Sequence, residues 1–453
     1  MKRGLAIVSG GFFLSRLGFF FLGIRFDGLD HLRDFLQFID PPLLEHHLLA
    51  SLFYSSFPPF YNLIVGVMLK LFGESPTAFA ALHLFVGWAI ALVLFALLTD
   101  LGVGLILAAA GTLLFMILPP VILYENWFFY TYFETLFFLL AVWSFRHFIR
   151  QPRLPWGLTL FASAAALALL NARMMFYVII LAFFLLLAAR RGPRQPRLAR
   201  TTALSATPLL LVLVVMVKNA CLFGAFTVDP HFGFHMGNGF IYAAWRDPDI
   251  HAVCLKDYPL LLIPPTQFPP AAQVGLDPPA PTGVPLLDTP FRSTGFANYN
   301  YNYYLQVSHM YSAALADFIT HHPLYYARFV GRAFANYWEP ANQYTFFAQT
   351  NRGRLGLYDY LYGEIYPLFL VLYFAAAIYV AFVGCGRRWA GDALPALGFA
   401  LATIAYNLLA IFVTLNENDR YKFTIEPLLW ILVLYALQQI IHARKKPPPA
   451  AAP

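Results

Sequence analysis

Apolar runs long enough to cross a bilayer dominate the chain. They cover residues 5–24, 77–98, 102–120, 127–149, 155–171, 174–189, 201–217, 363–384, 393–415 and 424–442. A helix rises 1.5 Å per residue, so about 20 apolar residues span the hydrocarbon core. An eleventh apolar stretch, 58–72, is only 15 residues long and opens on Pro58-Pro59. It reads as a surface helix. The pattern predicts an all-α polytopic membrane protein with about ten transmembrane helices.

Two polar intervals stand out. Residues 25–76 carry Asp27, Asp30, Asp34, Asp40 and Glu45, and their pieces 43–57 and 60–72 predict interfacial helices. Residues 218–362 form the longest non-spanning stretch. Within it, 259–290 is rich in Pro and predicts irregular loop, and 305–337 predicts one amphipathic helix. The expected organisation is a seven-span module, 1–217, that includes loop 25–76. A large loop, 218–362, follows, then three spans in 363–446 and a disordered tail, 447–453.

Composition agrees with this reading and charge orients it. Hydrophobic residues make up 60%, charged residues 12%, and mean hydropathy is +0.62; soluble domains carry about 25% charged residues. The net charge of +7 does not point to nucleic acid, because the bases cluster in short loops between apolar runs. These are the N-terminus (Lys2, Arg3), 146–153, 190–200, Arg387-Arg388 and the tail from Arg444. All five fall on one side only if 58–72 does not cross. That side then holds 15 of the 30 bases and two acids, Asp100 and Asp392, as the positive-inside rule requires of cytoplasmic loops. Loops 25–76 and 218–362 become exterior. The first span, lacking a small-residue cleavage site, reads as uncleaved.

Three cysteines build no disulfide or metal framework. Cys221 and Cys254 lie in the same exterior region and are able to pair, but free thiols are the favoured reading; Cys385 lies on the other side. No Walker, GxGxxG, CxxC or HExxH motif occurs, and the adjacent pairs His46-His47 and His321-His322 do not share a helix face. No metal site is predicted.

Three constellations carry candidate chemistry. The first is R-F-D-G-L-D-H-L-R-D after span one. Asp27, beside a turn-forming Gly28, is placed to act as a general base, and Asp30, His31 and Asp34 fall on one helical face with it. The second, Asn416 to Phe423, packs Glu417, Asp419, Arg420 and Lys422 between two spans. Arg420 and Lys422 there suit a lipid phosphate. The third is ionisable groups in or at the ends of spans: Arg16, His83, Glu125, Glu134, Arg173 and Lys218. Such groups usually face a cavity or a partner. Glu125 is expected to face Asp27 across a cleft, and Arg173 or Lys218 to assist Arg420 and Lys422. Local ion pairs and snorkelling account for the same residues without any ligand. Aromatics, 18% of the chain, read mainly as core and interfacial belt. The Tyr299–Tyr304 run and Tyr337-Trp338 are candidates for stacking on a sugar.

At these residues the chain resembles the multi-spanning C-type glycosyltransferases, which include protein O-mannosyltransferases and the aminoarabinose transferase of lipid A. The resemblance rests on the acid after span one, on F-P-P-F-Y-N-L-I-V-G-V-M-L-K-L-F-G, on Y-E-N-W-F-F-Y-T-Y-F-E-T-L, and on E-N-D-R-Y-K-F-T-I-E-P-L. It implies a polyprenyl-phosphate sugar donor and a lipid, glycan or protein acceptor. It also implies inversion at the anomeric carbon and an inner membrane of a bacterial envelope with the active site facing outward. Asp27 would be the base, with Asp30 as the alternative. Arg420 and Lys422, aided by Arg173 and Lys218, would hold the phosphate. Glu125, His31, Tyr421 and Glu417 would complete the substrate contacts. No cofactor is assigned, and a divalent cation is not indicated. The competing reading is a transporter or lipid flippase, which would account for the intramembrane charges but calls for an internal repeat that is not seen.

Overall fold

Prolines and asparagines decide where the helices start and break. The computed structural model describes residues 1–190, 195–263, 279–344, 347, 349–386, 393–415 and 417–445. Arg191, Arg194, Arg387, Arg388, Asn416, the core of the Pro-rich 259–290 stretch and the 447–453 tail lie outside them. Among the described residues every regular element is helical, and the sole extended pairings are two isolated bridges, Asp27 with Trp127 and Phe291 with Ala297. Each apolar run carries a helix: Lys2–Phe21, Pro76–Asp100, Leu105–Ile117, Thr131–Arg150, Leu154–Leu170, Tyr177–Ala189, Leu209–Phe223, Leu357–Gly386, Leu394–Asn407 and Glu426–Lys445. By length and composition six segments can cross a bilayer, or eight if each of two bent pairs is one span. Outside that count fall Thr131–Arg150, with Glu134, Arg146 and His147, and the 17-residue Leu154–Leu170. Exposed Leu14, Phe21, Phe183, Leu186, Leu210, Val214, Leu368 and Val371 give the assembly an apolar outer surface. This is a helical membrane protein.

The interior is close-packed through small side chains. Gly157, Ser163, Ala164 and Ala168 of Leu154–Leu170 are buried, and that helix lies along Thr131–Arg150. Between spans, lipid offers no less apolar contact than a neighbouring helix, so close backbone approach is what favours association.

Several expectations are corrected. The predicted helix 305–337 is two, Asn302–His321 and Pro323–Tyr337, because Pro323 has no N–H to continue the first. The run 102–120 bends by 63° before Pro119–Glu125, and the run 201–217 bends by 46° and continues to Phe223. Lys218 therefore lies within a helix. Only His31–Asp34 is helical in the first acid cluster, so Asp27 does not share a helix face with it. Gly28 takes φ +81°, a turn that glycine alone makes without strain. Cys221 and Cys254 are free. Asp100, an acid at the base-rich end, accepts from Trp143 Nε1 and His147 Nε2, each at 2.8 Å.

Glu125 is also misplaced by the sequence reading. It is 4% exposed and grips Arg16, with Nε to Oε1 at 2.8 Å and Nη2 to Oε2 at 2.7 Å. Arg16 Nη1 also donates to the Met116 carbonyl at 2.8 Å, and the Tyr132 hydroxyl to Glu125 Oε2 at 2.9 Å. Gly87 makes room: a Cβ there would come within 2.3 Å of Glu125 Oε2. Glu125 is thus a bolt joining the first span to the bent third, and not a group facing Asp27. Replacing it with Ala strands the Arg16 charge and should cost about 3–5 kcal/mol. The Arg16→Met/Glu125→Leu double variant should unfold closer to wild type in denaturant titrations in detergent. A double variant less stable than Glu125→Ala would contradict the assignment.

Candidate functional site

A cavity of about 850 Å³ lies where the two long loops meet the broken ends of two spans. Its walls come from 35–38 and 57–62 of the first loop, 129–130, 170–176, parts of 225–246, and the turn 409–421. The loops are stitched together around it. Arg292 of the large loop donates to the Phe35 and Leu36 carbonyls at 2.8 and 2.9 Å. Ser293 bonds both carboxylate oxygens of Asp40, and Asn300 accepts from Ser55 and Ser56.

Asn171 creates the first break. It is extended, ends helix Leu154–Leu170, and accepts from the Arg173 amide at 3.2 Å, starting the 3-10 turn Ala172–Phe176. The tighter turn aims Arg173 into the cavity. The second break mirrors it. Helix Leu394–Asn407 tightens to a 3-10 turn at Leu408–Phe412, and the short helix Asn418–Phe423 follows. Asn418 secures that helix by donating to the Thr414 carbonyl at 2.5 Å and the Ala333 carbonyl at 3.2 Å.

These breaks bring two guanidinium groups onto one ring. Arg173 Cζ sits 3.5 Å from the centroid of Tyr421, and Arg420 Cζ 4.4 Å from it. Arg420 is 2% exposed, pairs with Glu417 at 2.5 Å, and lies 4.8 Å from the Phe129 ring. The Tyr421 hydroxyl donates to Glu417 at 3.1 Å. Burial opposes the charged form of Glu417, but Arg420 and Tyr421 outweigh it and hold the carboxyl below its usual range. Arg173 differs. All three of its guanidinium nitrogens are buried, and none has a hydrogen-bond partner among the described residues. A buried ionised donor left unbonded costs upwards of about 1–3 kcal/mol, a cost that an anion in the cavity would relieve. Asn171 Nδ2 and Arg420 Nε, on the same cavity, are unbonded too. Glu134, fully buried with neither oxygen bonded, lies within range of both guanidinium charges.

Of the residues singled out from sequence, Arg173, Arg420, Tyr421 and Glu417 line the cavity. The others do not. Lys422 is turned away and bonds the Tyr366 hydroxyl and the Glu339 carbonyl, with Glu426 at 3.5 Å. Residues two apart on a helix point to nearly opposite sides, which is why it parts from Arg420. Lys218 donates to the Ser55 carbonyl at 2.5 Å. Asp27 is half-buried and accepts from the Gly28 amide at 2.7 Å. One aromatic layer separates it from the cavity: Gly28 abuts His31 and Trp127, which contact the lining rings Phe35 and Phe129. Asp30 is exposed, and His31 bonds Asp34 at 3.2 Å.

The sequence reading missed Asp229 and His235, which also line the cavity. The signal was D-P-H-F-G-F-H, where one acid precedes two histidines a helical turn apart. Among the described residues no three His, Cys, Asp or Glu side chains are arranged to hold a metal.

Asp419, 3% exposed, does not line the cavity, and its Oδ1 has no hydrogen-bond partner among the described residues. Burial pushes it up to about 7 against the pull of Lys422. The folded state therefore holds the proton more tightly than the unfolded chain, and the stability this provides is lost as pH rises through about 7. Asp419→Asn should gain melting temperature relative to wild type between pH 5 and 8. A difference that stays flat with pH would contradict the burial argument.

No family model matches the chain, and neither do the curated proteins or the solved structures.

Proposed function

We propose that the protein is an inverting membrane glycosyltransferase that moves a sugar from a polyprenyl-phosphate donor to a lipid, glycan or protein acceptor. The observation that carries this reading is the unbonded, buried guanidinium of Arg173 beside Arg420 in one cavity. Two cations there suit the phosphate of the donor, because charge-assisted N–H bonds stabilise the negative charge that develops as the sugar–phosphate bond breaks. Tyr61, Tyr130, Tyr242 and Tyr421 line the same space and offer ring faces to a sugar. Phe176 and Leu409 line the cavity, and each keeps more than half of its surface accessible. A prenyl chain would leave the cavity past them. A flippase would use the same opening, and transfer of the sugar by purified protein separates the two.

Attack on the anomeric carbon from the face opposite the phosphate inverts it and needs no covalent intermediate. The resemblance gives the proton-accepting role to Asp27 or Asp30. Both lie outside the cavity, so that assignment entails a rearrangement of His31 and Trp127. We also propose ten spans with both termini cytoplasmic and the cavity at the exterior face. A cysteine at Glu74 should then react with an impermeant reagent added outside, and one at Asp100 should not; the reverse pattern would invert the topology.

Loss of one charge-assisted phosphate contact should weaken binding by about 1.5–3 kcal/mol, roughly tenfold to a hundredfold. Arg173→Ala, which breaks no hydrogen bond of the guanidinium among the described residues, should show this for polyprenyl phosphate in nanodiscs without a fall in melting temperature. An unchanged Kd in the folded variant would refute the donor site.

A further inference from the structure

Asp229 gathers two imidazoles on the cavity wall. It is 7% exposed. Its Oδ1 accepts from the His231 amide at 2.8 Å and from His231 Nδ1 at 3.1 Å, and its Oδ2 faces His235 Nε2 at 3.0 Å. His231 is fixed on every side: fully buried, stacked on Phe57 at 4.5 Å and 5°, with Nε2 3.1 Å from the Tyr299 carbonyl; a neutral ring donates to either that carbonyl or Asp229, and the imidazolium to both. It holds the carboxylate still. His235 is the mobile-proton end of the array, its side chain 36% exposed to the cavity. A carboxylate can only accept, so Nε2 of His235 carries the hydrogen, and in the neutral ring Nδ1 keeps its lone pair. Nδ1 has no partner among the described residues. This is the arrangement of a base oriented by a carboxylate, and none of the three residues has a role in holding the donor phosphate.

We propose that His235 is the general base of this cavity, taking the proton of a hydroxyl or amine acceptor at Nδ1, with Asp229 and His231 as positioning residues. The inference rests on the glycosyl-transfer reading above. As the acceptor oxygen or nitrogen bonds to the anomeric carbon, its proton passes to His235 Nδ1. The bond from that carbon to the phosphate oxygen breaks, and its electron pair leaves with the phosphate beside Arg173 and Arg420. The charged and titratable groups facing His235 are Asp229 and His231 from the preceding loop and Glu417 and Arg420 from the last turn; Phe57 and Phe234 supply its remaining neighbours. Burial disfavours the imidazolium, but the bonded Asp229 outweighs it and holds His235 above the usual histidine range. Burial acts upward on Asp229, and the two imidazoles outweigh that in turn, keeping it ionised. Turnover should accordingly rise with pH as His235 loses its proton.

The test uses full-length protein in nanodiscs, with polyprenyl-phosphate mannose, glucose and arabinose as donors and water as acceptor. His235→Gln is informative because its Nε2–H can keep the bond to Asp229 while the basic Nδ1 is lost. Sugar release should fall about 10²–10⁴-fold and lose its pH dependence, with the Kd for polyprenyl phosphate within about threefold of wild type. Asp229→Asn should shift the pH limb, which a merely structural residue would not do. Asp27→Asn is the parallel variant for a base in the first loop. Wild-type release and pH profile in His235→Gln would overturn the assignment. So would a dead Asp27→Asn beside an active His235→Gln, which moves the base to the first loop and leaves the donor reading standing. Wild-type protein that binds polyprenyl phosphate but releases no sugar from any probe also counts against His235. Wild-type protein that does not bind polyprenyl phosphate overturns the donor reading itself.

Discussion

Two positive charges share one aromatic ring inside an apolar helical assembly, and the rest of the site is organised to tolerate that. Bringing Arg173 and Arg420 to Tyr421 puts like charges close together and away from water. Both like-charge repulsion and desolvation oppose it. Glu417 neutralises one of the two cations, and the faces of Tyr421 and Phe129 contribute roughly 1–2 kcal/mol of cation–π attraction each. Arg173 has no hydrogen-bonded carboxylate among the described residues, and the buried Glu134 acts on it only at a distance. A fold keeps such a group only where something outweighs its cost, and a bound anion does so directly.

The helix breaks are the means of placing these groups. An unbroken helix through Asn171 would carry Arg173 round with the regular 100° step per residue, and an unbroken hairpin at 408–421 would leave no short helix to present Arg420. The 3-10 turns at both sites tighten the backbone where cavity-lining side chains leave it. Stability is supplied elsewhere, by close helix packing and by the Arg16–Glu125 bolt, which does not line the cavity.

Hydropathy made the apolar helices legible, since the length of apolar segments is set by the bilayer itself, but six to eight of them can cross, against the ten expected. The charged hairpin, Arg173 and the turn at Gly28 were legible too, because each breaks a local rule. What failed were inferences about direction. Arg420 and Lys422 look like one clamp in sequence, yet a two-residue step turns them apart. Glu125 looks like a loop acid, yet its partner Arg16 is more than a hundred residues away and only packing reveals it. Asp229 and His235 were overlooked because they sit inside the long loop 218–362, away from the span ends where charged groups stood out. Pro323 alone should have divided the helix predicted over 305–337.

The most direct test is a structure of the protein with polyprenyl phosphate bound, determined by electron cryomicroscopy in nanodiscs. The account predicts phosphate density within hydrogen-bonding distance of both Arg173 and Arg420, with the prenyl chain leaving past Phe176 and Leu409. Phosphate density at Lys422 or Lys218 instead, with Arg173 still unbonded, would contradict it.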